Sequence, residues 1–317
     1  MKITLAPMEG VMDHHMRQLL TAIGGFDLCV TEFVRIVDQR LPAKVYRRLS
    51  PELDNDSKTA AGTPVRVQLL GQHPQYLAEN ADKAIRIGSD GIDLNFGCPA
   101  KTVNKSNGGA VLLKSPEKLY DIVKAVRESV PAFQTLSAKI RLGYDDKSLA
   151  IENAQAIEEA GADELAVHAR TKEEGYKPPA HWHWIAKIKE SINIPVIANG
   201  DIFNIEAARR CVEITGCDRL MIGRGALATP NLALAIKGIE APYTWLQILN
   251  LMEKYLFIQT MGDQEKYLPS RIKQWLMFIK LQHPQAILFL QQVRTIKTTQ
   301  EMLAAINNEQ TKFKLIG

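Results

Sequence analysis

Cysteine is scarce in this sequence. Its 317 residues include four cysteines, Cys29, Cys98, Cys211 and Cys217, and no two of them form a C-x-x-C pair. This scatter argues against a zinc ribbon and against a thioredoxin-like pair of thiols. Free thiols are typical of a reducing compartment, so we expect a cytoplasmic protein.

Long apolar runs are also missing. No run approaches the roughly 20 residues of a membrane-spanning helix, and the N-terminal MKITLAPMEG turns polar too soon for a signal peptide. No G-x-G-x-x-G follows the first predicted strand, which argues against an open dinucleotide-binding sheet. We therefore expect no membrane association.

Acidic residues are absent from one stretch near the C-terminus. Between Lys266 and Lys297 there are six Lys or Arg and no Asp or Glu. The chain carries 30 basic and 30 acidic residues up to Glu240, and 9 basic against 5 acidic after it, so the net charge of +4 arises entirely after Glu240. Two interpretations remain open: a solvated helical face, or a surface that binds a polyanion.

Eight short β-branched or apolar runs recur in the first 227 residues and alternate with amphipathic helical stretches. This alternation indicates a parallel sheet, and eight units in about 230 residues predict a closed (β/α)8 TIM barrel. The predicted strands are residues 3–8, 28–33, 65–70, 91–95, 136–142, 164–170, 196–202 and 219–227.

After about residue 240 the strand pattern gives way to four helical stretches. The prediction is therefore an α/β chain in which residues 1–240 form the barrel and residues 241–317 form a small all-helical domain. The breaks between the helices are predicted at Pro242, Gly262-Asp263, Pro269 and Pro284.

The carboxyl ends of barrel strands carry the active site in such folds, and here these ends are rich in polar residues. Lys139 is expected at an inward position of the fifth strand, where a lysine is costly to bury unless it meets an anion or a polar ligand. The loops after the seventh and eighth strands read NGD and GRG. These two loops often hold a phosphate, and glycine lets the backbone approach its oxygens.

A flat, polar, phosphorylated cofactor would suit this set of residues, and FMN fits. No second His or carboxylate lies at a metal-ligand spacing beside His168, so we expect no metal site. The strand ends that would surround it carry Pro7, Met8, Glu9, Gln68, Lys139, His168, Asn199, Gly200, Asp201, Gly223 and Arg224.

Cys98 lies in a Gly-Cys-Pro turn directly after the fourth predicted strand. Most free cysteines are small buried hydrophobic residues, but this turn at a strand's carboxyl end favours a functional thiol. A free thiol with a pKa of about 8.5 holds its proton near neutral pH and can act as an acid. We therefore expect Cys98 to be catalytic.

Several motifs between residues 5 and 227 resemble those of the tRNA-dihydrouridine synthases, flavin enzymes that reduce the C5=C6 double bond of uridines in tRNA. The resemblance covers essentially the whole chain, and GCPAK is its most specific segment. In the tail, SRIKQWLMFI looks most like the bacterial C-type subfamily, which acts on uridine 16 of the D-loop. The other motifs are LAPMEGVMD, VQLLG, DLNFGCPAKTV with GGAVLLKSPE, KIRLG, HARTKEEGY, PVIANGDI, MIGRGAL and TEFVRIVDQ.

The resemblance implies a role for each part of the chain. The strand-end residues named above match the FMN-binding positions of the family, and Glu9 is expected to join them. Reduced FMN would supply a hydride, Cys98 a proton, and NADPH (or NADH) would reduce the flavin again. Asn95 and Tyr176 match positions that meet the substrate RNA. The positions that orient the tRNA in the C-type subfamily are matched by Arg35, Arg271, Lys273 and Arg294.

The helical tail is expected to hold the tRNA while one base is flipped into the barrel. Ser270 is predicted to cap a helix, which would place Arg271 and Lys273 in its first turn. Trp275 and Phe278 are expected in the core because of their helical spacing. We expect the protein to act as a monomer.

Three other functions remain open. An FMN barrel that reduces a free pyrimidine or small enone would share the cofactor site but would not need the basic tail. A non-catalytic RNA-binding protein would not need Lys139, His168 and Cys98 together at strand ends. A third possibility is the same chemistry at a tRNA uridine other than 16.

Overall fold

Eight parallel strands close into a barrel in the computed structural model, which describes residues 1–258 and 265–316. Each strand pairs with the next in the chain, and the eighth pairs with the first. The predicted TIM barrel is therefore confirmed. The strands are β1 Lys2–Leu5, β2 Leu28–Arg35, β3 Val65–Leu70, β4 Ile92–Asn95, β5 Leu136–Arg141, β6 Glu164–His168, β7 Val196–Asn199 and β8 Arg219–Ile222.

Helices surround the barrel and continue after its last strand. Those of the barrel are α1 His14–Ile23, α2 Ala43–Leu49, α3 Pro74–Arg86, α4 Lys101–Lys105, α5 Pro116–Ser129, α6 Ala150–Glu159, α7 Trp182–Ser191, α8 Ile205–Thr215, α9 Arg224–Ala228 and α10 Leu232–Ile236. The tail adds α11 Trp245–Ile258, α12 Leu268–Ile279, α13 Gln285–Val293 and α14 Thr299–Ile316. The predicted break at Gly262-Asp263 lies outside the described residues.

The main apolar core lies between the sheet and the surrounding helices. On β4, Ile92 and Leu94 belong to this core, so the alternate residues Asp93 and Asn95 face the barrel interior. Helix ends follow local chemistry: Asn204 accepts a hydrogen bond from the backbone of Ala207 at the start of α8, and Gly216 ends α8 at φ 63°. Such caps typically contribute about 1 kcal/mol each.

Five predicted strands end earlier than expected. β1 stops at Leu5 rather than 8, β5 at Arg141 rather than 142, and β6 at His168 rather than 170. β7 stops at Asn199 rather than 202, and β8 stops at Ile222 rather than 227. Residues 224–228 form α9 instead, and an added Cβ on Gly225 would lie 1.9 Å from the carbonyl oxygen of Ile202. A short apolar run does not distinguish a strand from a buried helix, so the sequence pattern could not place this boundary.

Helix α12 begins at Leu268, so the prediction that Ser270 caps it is wrong. Pro269 lies in the first turn, where its missing N–H would have had no partner. Arg271 and Lys273 are therefore the fourth and sixth residues of the helix. Trp275 is buried and donates a hydrogen bond to the carbonyl of Leu227 at 3.0 Å, which fastens α12 to α9.

The core of the tail helices is continuous with that of the barrel. The division into domains at residue 240 stays a prediction. In the part of the chain that the structure describes, no helix is long and apolar enough to cross a membrane.

Candidate active site

A cavity of about 530 Å³ opens at the carboxyl ends of the strands. All eleven residues expected to hold a cofactor line it, and so do Cys98, Asn95 and Tyr176. Parallel strands all end at the same edge of a sheet, which brings these residues together although they are spread from position 7 to position 224. The four residues expected to orient tRNA do not line the cavity.

One end of the cavity is built from arginines around a single carboxylate. Arg224 donates to Oδ1 of Asp201 at 3.1 Å, and the fully buried Arg170 contacts both carboxylate oxygens of Asp201. A carboxylate repels a phosphate, so Asp201 contributes by holding the arginines. Arg224 is the group at this end that lines the cavity and can bind an anion.

Two side chains in the cavity wall lack partners. Among the described residues, Lys139 Nζ makes no hydrogen bond or ion pair, and burial, with the charge of Arg141, lowers its pKa to about 8. His168 is buried, and no described residue pairs with its Nδ1. Burial lowers the pKa of His168 well below its ordinary value, so the imidazole is neutral at pH 7.

These unpaired groups indicate a bound polar ligand, because an unsatisfied buried polar atom costs about 1–3 kcal/mol. The residues fit FMN: Arg224 suits its phosphate, and Lys139 and His168 suit polar atoms of the cofactor. In residues 1–258 and 265–316, no three His, Cys, Asp or Glu side chains lie together as a metal site would require.

Aromatic side chains line the rim of the cavity. Tyr176 is half-exposed, and its ring lies 4.7 Å from the guanidinium of Arg224 and 5.2 Å from that of Arg141. Phe203 and Phe278 also line the cavity. Phe278 is half-buried rather than fully in the core, and it brings a residue of α12 to the barrel mouth.

Asn104 holds the Cys98 loop in place through two hydrogen bonds. Asn104 donates to the carbonyl of Cys98 at 2.9 Å and accepts from the backbone N–H of Val111 at 2.8 Å. Gly109 approaches closely, since an added Cβ would lie 2.9 Å from the same carbonyl. Cys98 is buried, and burial raises the pKa of its thiol. The thiol therefore keeps its proton at neutral pH.

Arg141 connects the Cys98 loop with the loop that carries Tyr176. Its Nε donates to the carbonyl of Gly97 at 2.8 Å, and its Nη1 donates to the carbonyl of Gly175 at 3.0 Å. Arg141 lies two residues after Lys139 on β5, so the two side chains face the same side. For Asn104, no pattern in the sequence indicated a role.

Two of the expected tRNA-orienting residues are held within the protein. Arg271 pairs with Asp13 and donates to the carbonyl of Gly10 at 3.0 Å, in the loop between β1 and α1. Lys273 donates to the carbonyl of Ile296 at 2.9 Å, just beyond the end of α13. Arg271 thus stabilises the contact of α12 with the loop between β1 and α1, and Lys273 its contact with the segment after α13.

The other two expected tRNA-orienting residues are exposed. Arg294 follows directly after α13. Arg35, at the end of β2, donates to the hydroxyl of Ser106 at 2.8 Å, beside the Cys98 loop. Arg35 therefore lies close to the barrel mouth, and its partner Ser106 belongs to the segment that follows Cys98.

The barrel and its polar mouth define the class of the protein, a (β/α)8 barrel whose site fits a flavin cofactor. An old yellow enzyme homologue from Zymomonas mobilis has the same fold, with a TM-score of 0.52 at 14% identity, covering 77% of this chain and 90% of that one. A 2-naphthoyl-CoA reductase complex reaches a TM-score of 0.58 at 15% identity, covering 75% and 50%. At these identities the likeness shows the fold alone.

Sequence comparison identifies the family. The family model described as dihydrouridine synthase (Dus) matches residues 4–315. A tRNA-dihydrouridine(16) synthase from Shewanella oneidensis is 54% identical over 310 residues, 98% of each chain. One from Escherichia coli is 50% identical over 307 residues, 96% of this chain and 98% of that one. The chain belongs to the dihydrouridine synthase family, whose reaction is the flavin-dependent reduction of uridine.

Proposed function

We propose that this protein reduces the C5=C6 double bond of uridine 16 in the tRNA D-loop, with FMN in the barrel mouth and NADPH as the reductant. The observation that carries the proposal is the single cavity that joins Cys98, Lys139, His168 and Arg224 in a chain of this family. The choice of uridine 16 is supported by the C-type motifs and by relatives named for that position.

Different residues of the cavity bind different parts of the cofactor. FMN supplies the hydride once it has been reduced. Arg224, fixed by Asp201, binds the phosphate, and Met8 and Pro7 provide an apolar lip. Lys139 supplies a positive charge in a site shielded from bulk water. There it stabilises negative charge on the cofactor more strongly than it would in water.

Cys98 supplies the proton. Once C6 of the uracil has gained a hydride, negative charge develops toward C5 and the C4 carbonyl, and C5 takes the thiol proton. The thiolate then recovers a proton from solvent. The raised pKa of Cys98 keeps the acid form present before each turnover. Asn95, on the strand that leads to this loop, hydrogen-bonds the uracil.

A uridine within tRNA must leave its stack to reach this depth. Tyr176 offers an exposed ring at the mouth on which a nucleotide can stack. Arg35 and Arg294 contact phosphates directly, because both are exposed. Arg271 and Lys273 orient the tRNA from the α12 side, where their internal partners hold them in place.

We also infer that the enzyme acts in the cytoplasm as a monomer and without a metal. The few scattered thiols support the cytoplasm. Sedimentation of the protein with and without tRNA tests the monomer, and activity in the presence of a chelator tests the absence of a metal.

The proposal is tested with purified protein, unmodified tRNA transcript and either NADPH or NADH, with free uridine in a parallel reaction. We expect flavin absorbance, faster turnover with NADPH, and dihydrouridine in the tRNA only. Product from free uridine but not from tRNA would replace the proposed function with reduction of a small pyrimidine. A flavin-free protein that binds tRNA without turnover would refute any flavin chemistry.

A further inference from the structure

A row of polar residues crosses the barrel interior on three neighbouring strands. The strand register places Gln68 of β3 beside Asp93 of β4, and Asp93 beside Ser137 of β5. All three side chains are buried. Gln68 lines the cavity, whereas Asp93 and Ser137 do not. Asp93 is thus a buried carboxylate directly behind the active site, and the mechanism above does not use it.

Both oxygens of Asp93 have fixed partners. Oδ1 accepts from the hydroxyl of Ser137 at 2.6 Å, and Oδ2 accepts from Nε2 of Gln68 at 2.7 Å. The Ser137 hydroxyl accepts in turn from Nη1 of Arg66 at 3.0 Å. An arginine can only donate, so the hydroxyl proton is left for an acceptor, and Oδ1 of Asp93 is closer than the carbonyl oxygen of Ile92, at 2.6 Å against 3.4 Å.

This arrangement determines which way two amides face. Burial raises the pKa of Asp93, and the hydrogen bonds from Ser137 and Gln68 oppose that effect by favouring the ionised form. The ionised carboxylate only accepts hydrogen bonds, so Gln68 turns its NH2 group toward Asp93 and its oxygen away. That oxygen accepts from Nδ2 of Asn95 at 2.7 Å. The oxygen of Asn95 then accepts from the backbone N–H of Gly97 at 2.9 Å. Gly97 directly precedes Cys98.

We propose that Asp93 is a positioning residue of this active site: its carboxylate sets the orientation of the Gln68 and Asn95 amides and, through Asn95, the backbone before Cys98. What those amides bind rests on the proposed function. Each amide has one further donor and one further acceptor site, and the cavity receives them in a single orientation. The backbone N–H of Gly97 favours the same orientation from the other end of the row. An amide at position 93 would have one oxygen for two donors, the Ser137 hydroxyl and the Gln68 NH2 group, so one of the two hydrogen bonds that hold the row would be lost.

Asp93 also bears on the charge of the cavity. In the register of β4 and β5, Lys139 lies beside Asn95, one inward position beyond the Asp93–Ser137 pair. The negative charge of Asp93 raises the pKa of Lys139 against the larger effect of burial. The same carboxylate therefore orients the amides and favours the charged form of the lysine.

The test compares Asp93→Asn with Glu52→Gln in the full-length protein. Glu52 is also a buried, hydrogen-bonded carboxylate, but it pairs with Arg17 away from the cavity. FMN is titrated into flavin-free protein, the visible spectrum of the bound flavin is recorded, and kcat and KM for tRNA are measured. We expect Asp93→Asn to lose about tenfold in FMN affinity, to shift the flavin spectrum, and to lower kcat more than it raises KM. Glu52→Gln is expected to keep FMN affinity and spectrum.

Ser137→Ala provides a second variant that removes one small donor and is easier for the fold to accept. Ser137 does not line the cavity, and of its side-chain partners it is Asp93 that contacts a cavity residue, Gln68. We therefore expect its effect on the flavin to pass through Asp93. We expect a weaker loss of affinity with the same change in spectrum. FMN affinity and spectrum like those of the wild type in both variants would overturn the proposal. A wild-type protein that binds FMN but makes no dihydrouridine would refute the proposed function and leave the FMN titration as an independent test of Asp93.

Discussion

Arg224 and Asp201 form a hydrogen bond of 3.1 Å between the ends of β8 and β7. The buried Arg170 contacts both oxygens of the same carboxylate. The pair joins the two loops that would receive a phosphate. Asp201 therefore acts on Arg224 and not on the phosphate itself.

Asp201→Asn is expected to weaken FMN binding about tenfold, because Arg224 would lose a charged partner. Asp201 has φ 55°, and asparagine tolerates this left-handed conformation as well as aspartate does, so the backbone is expected to stay in place. FMN titration measures the loss. Glu206→Gln, which alters an exposed pair with Arg209, is the control. Unchanged FMN affinity in Asp201→Asn would contradict the role given to the pair.

Cys98→Ala is expected to lower the turnover of tRNA by about 100-fold or more, since a positioned acid typically contributes 10²–10⁴. FMN binding and tRNA binding are expected to remain, because the thiol is needed only for the proton. Cys211→Ala removes a buried thiol from α8, outside the cavity, and is expected to keep full activity. If Cys98→Ala turned over like the wild type, Cys98 could not be the acid.

Lys139→Met is expected to stabilise the flavin-free protein while abolishing most turnover. The pKa of Lys139 is about 8 in the fold, below the value near 10.4 of an unfolded chain, so its buried charge destabilises the fold by about 3 kcal/mol at pH 7. This destabilisation is fully present below pH 8 and declines as the pH rises from about 8 toward 10, where the folded lysine is already neutral.

The check on Lys139 is thermal unfolding of the variant and the wild type at pH 7 and at pH 10. The variant is expected to have the higher Tm at pH 7, with a smaller difference at pH 10. A difference that grew with pH would show that the buried charge is not the cause.

Reversing Arg271 and Lys273 to Glu together is expected to weaken tRNA binding at least tenfold and to lower its dependence on salt. Flavin reduction by NADPH is expected to continue, because neither residue lines the cavity. Arg86→Glu, at the exposed end of α3, is the matched charge reversal. Both variants are compared by tRNA titration and by Tm, since Arg271 also pairs with Asp13. Unchanged tRNA affinity in the double variant would refute the role of the basic tail.

Much of the fold and of the cavity could be predicted because both depend on local periodicity. Inward positions alternate along each strand, so Lys139 on β5 could be placed on the inner face from sequence alone. All strands end at one edge, which was enough to expect Cys98, His168 and Arg224 in one site, as the cavity now brings them together.

The remaining features depend on contacts between distant segments. Arg271 meets the carbonyl of Gly10, 261 residues away, and so its internal partner could not be expected from the tail alone. Asn104 has no distinguishing pattern, and its role appears only when the loop folds back on Cys98. The boundary of β8 was missed because Gly225, in α9, packs against Ile202, in the loop after β7, a contact between two separate segments.

The most direct measurement of the central claim is the position of dihydrouridine in tRNA after incubation with the protein and NADPH. Unmodified transcript is compared with a transcript that carries cytidine at position 16. The account predicts flavin-dependent formation of dihydrouridine at position 16 and no product in the cytidine transcript. Dihydrouridine at another position in both transcripts would contradict the assignment to uridine 16, and no dihydrouridine in either would contradict the proposed function itself.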